Sequence, residues 1–475
     1  MESFSDFASA ADSFIWSPYL LIPALIGTGI ILTIRLGAIH LLKLGAALRL
    51  GLFNHDEDSA EGDITNYQAL STALAATVGV GNIVGVATAI GLGGPGALFW
   101  MWVTGVLGMA SKYSEAFLGV KFRQRDAAGE QAGGPQYYLK KAIPNRFGSF
   151  LAVFFAVCAA LAAFGIGNLT QSNAVATNME QTFGVDPMVT AVIMFVLVGS
   201  VLMGGIKSIG RITAGFVPLM IVLYIGAAIW VLIANISALP AALALVFTDA
   251  FTGTAAVGGF AGAGIILAIQ MGVARGLFSN ESGLGSGAIA AAAASTHHPV
   301  RQGLVSMTQT FIDTIIVVSF TGLVIITTGA WQMGGENLGG LTAEAFSRGL
   351  PGEWGGTIVT LSIVFFAFST LLGWSYYGER AFESLVGRRG TIPYRAIFTC
   401  VAAIGAVSQL ETAWSVASAL NGLMALPNLI GMVILSGLIA KETRAYLSFD
   451  PQLRATAKEI EQWQSTQDFT AFHQR

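Results

Sequence analysis

The sequence predicts an all-α membrane protein with eleven transmembrane helices. Only 11% of its 475 residues are charged, against about a quarter in ordinary soluble proteins. The mean hydropathy is +0.68, and a soluble chain of this length has no core large enough to bury so many apolar side chains. Contact with membrane lipid resolves this excess. The 58 glycines agree with helices that pack closely or break inside a bilayer.

Eleven segments are apolar enough to cross a membrane, which requires about 20 residues for a helix. They lie at 15–34, 66–91, 95–120, 148–178, 187–205, 212–234, 254–295, 301–329, 354–378, 393–409 and 412–440. The longest of them must tilt or break in order to span. The first apolar run is longer than the core of a signal peptide, so we expect it to be a retained helix.

Lysine and arginine are distributed unevenly between the two sides of this layout. With the N-terminus outside, the outward-facing gaps contain a single basic residue, Arg348. The opposite side collects the basic loop residues from Arg35 to Arg395 and those of the C-terminal tail. Because basic loops stay in the cytoplasm, we expect a multi-pass protein of a prokaryotic plasma membrane with a cytoplasmic C-terminus.

Composition and motifs argue against several other classes of protein. A net charge of −3 without basic, aromatic-rich stretches gives no reason to expect nucleic acid as a partner. Cys158 and Cys400 lie in apolar runs, so neither a disulfide framework nor a zinc site is expected. A serine protease of the membrane needs Gly-x-Ser-Gly, but Leu284 precedes Ser286 at the required position, and no His-Glu-x-x-His motif occurs. We expect no enzymatic activity.

The second segment contains a first predicted interruption. Gly79, Gly81 and Gly85 weaken this helix, each by about 1 kcal/mol relative to alanine, and Asn82 lies beside them. Unwound backbone is tolerated at membrane depth only where it lines a cavity or binds a ligand. The alternative is an intact helix whose glycine face packs on a neighbour, with Asn82 bonding across it.

The seventh segment contains a second interruption, between Arg275 and Gly287. Asn280 and Glu281 lie there among alanine, glycine and isoleucine. Burying a carboxylate at this membrane depth costs free energy, so its presence indicates a functional site. The alternative is a structural acid held by backbone amides or by Arg275.

The two interruptions are five segments apart, as in an inverted repeat of two five-helix halves. We therefore divide the chain into an extra N-terminal helix and loop (1–65), a first repeat (66–235), a second repeat (254–440) and a cytoplasmic tail (441–475). The broken helices of such repeats lie antiparallel, so their ends meet near the midplane. Positive helix ends there hold a carboxylate, and freed carbonyls hold Na⁺.

Three sequence strings resemble the alanine/glycine:cation symporters: Ala-Thr-Val-Gly-Val-Gly-Asn-Ile-Val-Gly-Val-Ala-Thr-Ala-Ile (76–90), Gly-Gly-Pro-Gln-Tyr-Tyr (133–138) and Arg-Gly-Leu-Phe-Ser-Asn-Glu-Ser-Gly-Leu-Gly (275–285). That family is similar to the LeuT-type transporters of the amino acid-polyamine-organocation superfamily. The resemblance implies a 5+5 inverted repeat with two broken helices. It also implies alternating access driven by sodium.

The resemblance implies a substrate site in which backbone amides at the first interruption take the carboxylate and carbonyls at the second face the ammonium group. Trp374, one helical turn after Thr370, would limit the space for the substrate side chain. The implied substrate-binding residues are Thr77, Gly79, Val80, Gly81, Asn82, Gln171, Phe278, Ser279, Asn280, Glu281, Thr370 and Trp374. The alternative for Gln171 is an amide hydrogen bond to another helix, and the alternative for Trp374 is a packing or interfacial tryptophan.

The resemblance also implies a Na⁺ site between the second and ninth segments. Its ligands would be the carbonyls of Ala75, Val78 and Phe366 and the hydroxyls of Ser369 and Thr370. Back-bonding of the two hydroxyls to the preceding helical turn is the alternative. Asp313 lies deep in the eighth segment, either as a second cation ligand or as a structural bond between helices. Lys112 and Glu115 are spaced to form an ion pair on one helix.

Together these expectations describe a monomeric Na⁺-coupled importer of alanine or glycine. The first alternative is a carrier of the same fold that uses H⁺ or takes another substrate. A channel is the second alternative, but a channel would line its pore with charge rings or repeat a filter around an axis.

Overall fold

A computed structural model describes residues 2–53, 59–252, 261–333, 338–352, 354–408 and 411–467, and nearly all of its regular structure is helical. The first helices are α1 (Glu2–Ile15), α2 (Leu21–Arg35), α3 (Ile39–Leu42), α4 (Leu44–Phe53), α5 (Asn66–Thr77), α6 (Val84–Gly93) and α7 (Gly96–Lys121). A short hairpin of β1 (Gln124–Arg125) and β2 (Gln131–Ala132) follows.

The next helices are α8 (Pro135–Ala142), α9 (Arg146–Phe164), α10 (Thr170–Phe183), α11 (Pro187–Leu202), α12 (Gly205–Ala234), α13 (Leu239–Thr252), α14 (Ala261–Asn280) and α15 (Gly287–Ala293). The last are α16 (Pro299–Thr310), α17 (Ser319–Thr327), α18 (Leu341–Gly349), α19 (Trp354–Val386), α20 (Thr391–Val407), α21 (Glu411–Phe449) and α22 (Ala457–Thr466).

The helices confirm the predicted all-α class. Among the described residues, six helices are long and apolar enough to cross a membrane: Arg146–Phe183, Gly205–Ala234, Pro299–Thr327, Trp354–Val386, Arg388–Val407 and Thr412–Phe449. The bent pair Asn66–Thr77 and Val80–Gly93 counts as a seventh if it forms one span. A multi-pass membrane protein is therefore confirmed, whereas the count of eleven spans stays a prediction.

The N-terminal region is more extensively helical than the predicted first segment, 15–34. Helix α1 ends at Ile15, a turn contains Pro18, and α2 then begins at Leu21. Helix α1 packs along α21, where the Trp16 indole donates a hydrogen bond of 3.1 Å to the Ser418 carbonyl. Proline has no N–H to donate, which accounts for a helix that ends and restarts around Pro18.

Both predicted interruptions are present in the structure. Helix α5 ends at Thr77, a single 3₁₀ turn covers Val80–Asn82, and α6 begins at Val84. The two helices are bent by 62° at this first break, residues 78–83. Helix α14 ends at Asn280 and α15 begins at Gly287, which defines the second break, residues 281–286. Positive φ angles at Gly283 and Gly285, +93° and +91°, explain why glycine stands at these positions.

Two π-helical segments interrupt spans that flank the breaks. Gly165–Leu169 joins α9 to α10, and Phe311–Val318 joins α16 to α17. A π turn inserts one extra residue and re-aims the side chains that follow it, which is common at functional sites. The first segment precedes Gln171 directly, and the second contains Asp313.

Candidate ligand site at the two helix breaks

Four oxygen atoms converge where α19 passes the end of α5. The Thr370 hydroxyl lies 3.1 Å from the Ala75 carbonyl and 3.0 Å from the Phe366 carbonyl. The Ser369 hydroxyl lies 3.3 Å and 2.8 Å from the same two carbonyls. All four residues are buried. Val78, the fifth predicted contributor, is the buried residue at which the backbone leaves α5.

This oxygen cluster is more than back-bonding within one helix. The bonds to Phe366 are local to α19, as the alternative interpretation expects, but the bonds to Ala75 join two helices that are about 295 residues apart in sequence. Each hydroxyl has a single proton to donate and two lone pairs to offer. Neutral oxygens grouped in this way form a donor set that a small hard cation prefers.

Gly79 and Asn82 shape the first break. A Cβ atom on Gly79 would collide with the Thr370 hydroxyl, so this position requires glycine. The Gly79 N–H donates to Oδ1 of Asn82 at 2.9 Å, and Nδ2 of Asn82 donates to Oδ1 of Asp313 at 2.8 Å. Gly81 faces the second broken span, and a Cβ atom there would lie 3.6–3.7 Å from atoms of Phe278 and Ser279.

Polar side chains of α16 and its π segment connect the two breaks. Nε2 of Gln309 donates to the Thr77 hydroxyl at 2.8 Å and lies 3.4 Å from the Asn280 carbonyl. The Ser279 hydroxyl donates to Asp313 at 3.1 Å. Side chains of α16 and its π segment therefore form hydrogen bonds to both interruptions. These bonds link Thr77, Asn82, Ser279 and Asn280.

A cavity of about 100 Å³ lies next to the first break. Four predicted residues line it, namely Val80, Gly81, Gln171 and Phe278. Oε1 of Gln171 is buried without a hydrogen-bond partner among the described residues, while its Nε2 donates to the Ile166 carbonyl at 3.1 Å. The cavity is small compared with the several hundred Å³ of typical drug-sized pockets, so it has room only for a ligand with few atoms.

The sequence matches the profile of the sodium:alanine symporter family over residues 1–460. The chain belongs to this family. It is 50% identical over 447 residues to the sodium/alanine symporter AgcS of Methanococcus maripaludis, covering 93% of this chain and 97% of the relative. It is 35% identical over 437 residues to the "Probable sodium/glutamine symporter GlnT" of Bacillus subtilis, covering 92% and 89%. The chain is thus a transport protein and not an enzyme.

A solved structure supports the fold alone. The symporter aligns with a variant of the manganese transporter from Eremococcus coleocola at a TM-score of 0.50 and 14% identity. The alignment covers 86% of this chain and 94% of that chain. The chain thus shares the overall helical arrangement of that transporter.

Eight of the twelve predicted substrate-binding residues, Glu281 and Trp374 among them, do not line this cavity. Trp374 is buried, and it packs against Gly167 of the first π segment. Glu281 accepts a hydrogen bond of 2.5 Å from the Ser286 hydroxyl within the second break. The first π segment explains the position of Trp374, because Gly167 has no side chain and leaves the space that Trp374 occupies.

The cavity also contains residues that the sequence analysis did not select. Trp414 stacks obliquely on Phe278 with 5.7 Å between ring centroids, and it therefore forms the aromatic wall that had been expected of Trp374. The other unselected lining residues are Val84, Gly85, Thr88, Thr170 and Arg275. Gln309 does not line the cavity, but it too was not selected, although an amide within an apolar span indicates a contact between helices.

Proposed function

We propose that this symporter imports a small neutral amino acid, alanine or glycine, together with Na⁺ by alternating access. One observation carries the cation assignment. The hydroxyls of Ser369 and Thr370 on α19 each lie within 3.3 Å of two backbone carbonyls, one from α5 and one from α19, beside a helix break. We assign Na⁺ to these four oxygens, with the Val78 carbonyl as a fifth ligand.

The cavity beside the first break supports a small substrate. Gly79, Val80 and Gly81 bring bare backbone to the site, and the positive end of α6 attracts a carboxylate there. The end of α14 at Ser279 and Asn280 supplies carbonyl groups for the ammonium group. Phe278 and Trp414 close the apolar side. The archaeal relative at 50% identity is named a sodium/alanine symporter, which agrees with this size of site.

The transport cycle that we propose uses the predicted architecture. Eleven spans comprise one extra N-terminal helix and two inverted five-helix repeats of LeuT type, with the N-terminus outside and the C-terminus in the cytoplasm. The breaks at 78–83 and 281–286 agree with this arrangement, because the predicted layout of spans places them five segments apart. We propose a monomer as the unit of transport, since both breaks belong to one chain.

Three alternatives make different predictions. A proton-coupled carrier needs a titratable group at the coupling site, whereas the four clustered oxygens are neutral. A carrier of a larger amide, as the name of the Bacillus relative suggests for that protein, needs more room than about 100 Å³. A channel would conduct without saturating.

Uptake into proteoliposomes tests the proposal. We expect saturable uptake of labelled alanine and glycine by the purified chain under an inward Na⁺ gradient, with little uptake of glutamine. Choline or a pH gradient in place of Na⁺ should give no accumulation. Uptake that follows a pH gradient and ignores Na⁺ would overturn the sodium assignment, and an unsaturable current would support the channel.

A matched pair of variants tests the cation ligands themselves. Removing both hydroxyls in Ser369→Ala/Thr370→Ala should raise the Na⁺ concentration for half-maximal uptake about tenfold or more, because each lost ligand costs on the order of 1 kcal/mol or more. Ser375→Ala is the control, since the Ser375 hydroxyl on the same helix only back-bonds to the Leu372 carbonyl at 2.7 Å. Equal Na⁺ dependence in both variants would remove the oxygen cluster from the coupling site.

A further inference from the structure

The second break has to satisfy its backbone polar groups without water. Residues 281–286 have left the helix, with φ of +55° at Glu281 as well as the two left-handed glycines. Such freed N–H and C=O groups each cost several kcal/mol in a membrane interior when they lack partners. Side chains of neighbouring helices must therefore replace the lost helical hydrogen bonds.

Helix α7 supplies two of these partners from charged side chains. Nζ of Lys112 donates to the Glu281 carbonyl at 3.2 Å, and Oε1 of Glu115 accepts the Gly285 N–H at 3.0 Å. Both side chains are essentially inaccessible, at 1% and 0% exposure. The two ends of the break are thus held by a donor and an acceptor that stand three residues apart on one helix.

Helix α21 supplies a third partner. Nδ2 of Asn428, which follows Pro427 within the helix, donates to the Gly283 carbonyl at 2.8 Å and to Oε1 of Glu115 at 2.8 Å. Oδ1 of Asn428 accepts the hydroxyl of Tyr138. A continuous buried network therefore runs from α8 through α21 and α7 to the backbone of the break.

Close packing keeps α7 within reach of this backbone. A Cβ atom on Gly108 would lie 2.9 Å from Ser282, and one on Gly287 would lie 2.8 Å from the Lys112 side chain. A Cβ atom on Gly119 would lie 2.5 Å from the Ala288 carbonyl. These glycines let α7 run along the broken span on both sides of the break.

The geometry is poor for an ordinary ion pair. Nζ of Lys112 lies 3.9 Å from Oε2 of Glu115, beyond hydrogen-bond distance, and within the described part of the chain Oε2 has no hydrogen-bond partner. The hydrogen bonds of both side chains point to the break instead of to each other. Mutual pairing on one helix, which the spacing predicts, is therefore the lesser part of what these residues do.

We propose that Lys112, Glu115 and Asn428 are positioning residues that form a clamp on the second helix break. This inference rests on the proposed function for its consequence, since the clamp sets where the end of α14 presents Ser279 and Asn280 to the substrate. The three side chains fix the carbonyls of Glu281 and Gly283 and the N–H of Gly285. No ligand contact is assigned to them.

Hydrogen–deuterium exchange on the purified full-length protein tests the clamp directly. Glu115→Leu removes the acceptor for the Gly285 N–H, and we expect exchange in the peptide covering 281–287 to accelerate about tenfold or more, as for the loss of one buried hydrogen bond. Glu115→Gln keeps an acceptor oxygen and should stay within about threefold of wild type. Lys121→Met is the control, because Lys121 on the same helix pairs with Glu442 at 2.5 Å, away from the break.

A double variant separates the clamp from simple ion pairing. If Lys112 and Glu115 only neutralised each other, Lys112→Met/Glu115→Leu would recover stability and transport, because replacing both members of a buried pair is often neutral. The clamp predicts that the double variant keeps fast exchange at 281–287 and a raised KM for alanine. Lys112→Arg, which retains a donor, should be the milder single change.

The outcomes distinguish the clamp from the proposed transport. Unchanged exchange at 281–287 in Glu115→Leu, or faster exchange spread evenly over peptides such as those of α12, would overturn the clamp. Local acceleration in Glu115→Leu, together with a wild-type protein that does not transport alanine, would leave the clamp standing and refute the proposed substrate. Should Glu115→Leu fail to fold, Asn428→Ala provides a second test. Loss of the hydrogen bond to the Gly283 carbonyl should loosen the break and speed the exchange of its N–H groups.

Discussion

Asn82 and Asp313 are joined by a hydrogen bond of 2.8 Å between the Asn82 amide and a carboxylate oxygen of Asp313. Asp313 also accepts hydrogen bonds from the hydroxyls of Ser279 at 3.1 Å and of Thr314 at 2.8 Å. One fully buried carboxylate thus bonds to the first break and to the last turn of the helix before the second. Of the two roles left open by the sequence, the structural bond between helices is present.

Asp313→Asn should lower the initial rate of Na⁺-driven alanine uptake by about tenfold or more. An amide presents one acceptor oxygen where the carboxylate presents two, so one of three buried donors loses its partner at a cost of about 1–3 kcal/mol. Asp249→Asn is the control, since Asp249 is another buried carboxylate that accepts the Gly96 N–H at 2.8 Å, at a different helix junction. A wild-type rate in Asp313→Asn would show that this bond does not position the site.

Gly79→Ala should abolish transport and greatly weaken Na⁺ binding. The added methyl group would overlap the Thr370 hydroxyl, so α19 must move away from the first break and the oxygen cluster must open. Gly226→Ala is the control, because the space around Gly226 in α12 is open to at least 4 Å. The measurement is Na⁺-dependent thermal stabilisation of the detergent-solubilised protein, which Gly226→Ala should retain. Full stabilisation of Gly79→Ala by Na⁺ would contradict the proposed ligand set.

The helix breaks were predictable because their cause is local. Gly283 and Gly285 adopt φ angles that other residues strongly disfavour, and Gly79 stands where any side chain would collide. Such glycines, beside Asn82 or Glu281 in an apolar span, can be recognised in the sequence. The convergence of Ser369 and Thr370 on Ala75 was implied by the family resemblance and was not deduced from composition or spacing.

Other parts of the site depend on tertiary packing and were not predictable. Hydropathy does not indicate which face of a span points inward, so Trp374 was expected in the cavity wall that Trp414 occupies. Gly167 of the π segment at Gly165–Leu169 leaves the space that the Trp374 side chain fills, a contact between two spans distant in sequence. Asn428 meets Glu115 across 313 residues of sequence, a distance at which no pattern in one sequence predicts a partner.

Trp414→Ala should broaden the substrate range more than Trp374→Ala does. The Trp414 ring faces the cavity beside Phe278, and removing it adds space where the substrate side chain would lie. Trp374 is buried against Gly167 and does not line the cavity, so its loss should reduce uptake of all substrates alike. Competition of alanine uptake by valine and leucine is the measurement. A wider range in Trp374→Ala and an unchanged one in Trp414→Ala would return Trp374 to the pocket wall.

The tail of the chain provides a prediction on pH that is independent of transport. Asp450 is bonded to Arg301 at 3.0 Å and to the N–H groups of Arg454 and Ala455 at 2.8 Å and 3.1 Å. Burial acts to raise the pKa of Asp450, but these hydrogen bonds and the Arg301 charge together lower it below its ordinary value of 3.8. Helix α22 follows directly, with Trp463 stacked on Phe449 at 5.0 Å.

Because the folded-state pKa of Asp450 is lowered, its stabilising contribution is complete above the ordinary value of 3.8 and is lost as the pH falls through the lower folded-state value. Docking of α22 should therefore be unchanged from pH 8 to about pH 5 and should weaken only below about pH 4. The fluorescence difference between wild type and Trp463→Phe reports this docking.

Asp450→Asn should undock the tail already at pH 7, since it leaves buried Arg301 without a carboxylate partner at a cost of about 3–5 kcal/mol. Glu461→Gln, on an exposed face of α22, should behave as wild type, and loss of docking near pH 6 in the wild type would show that a group other than Asp450 holds the tail.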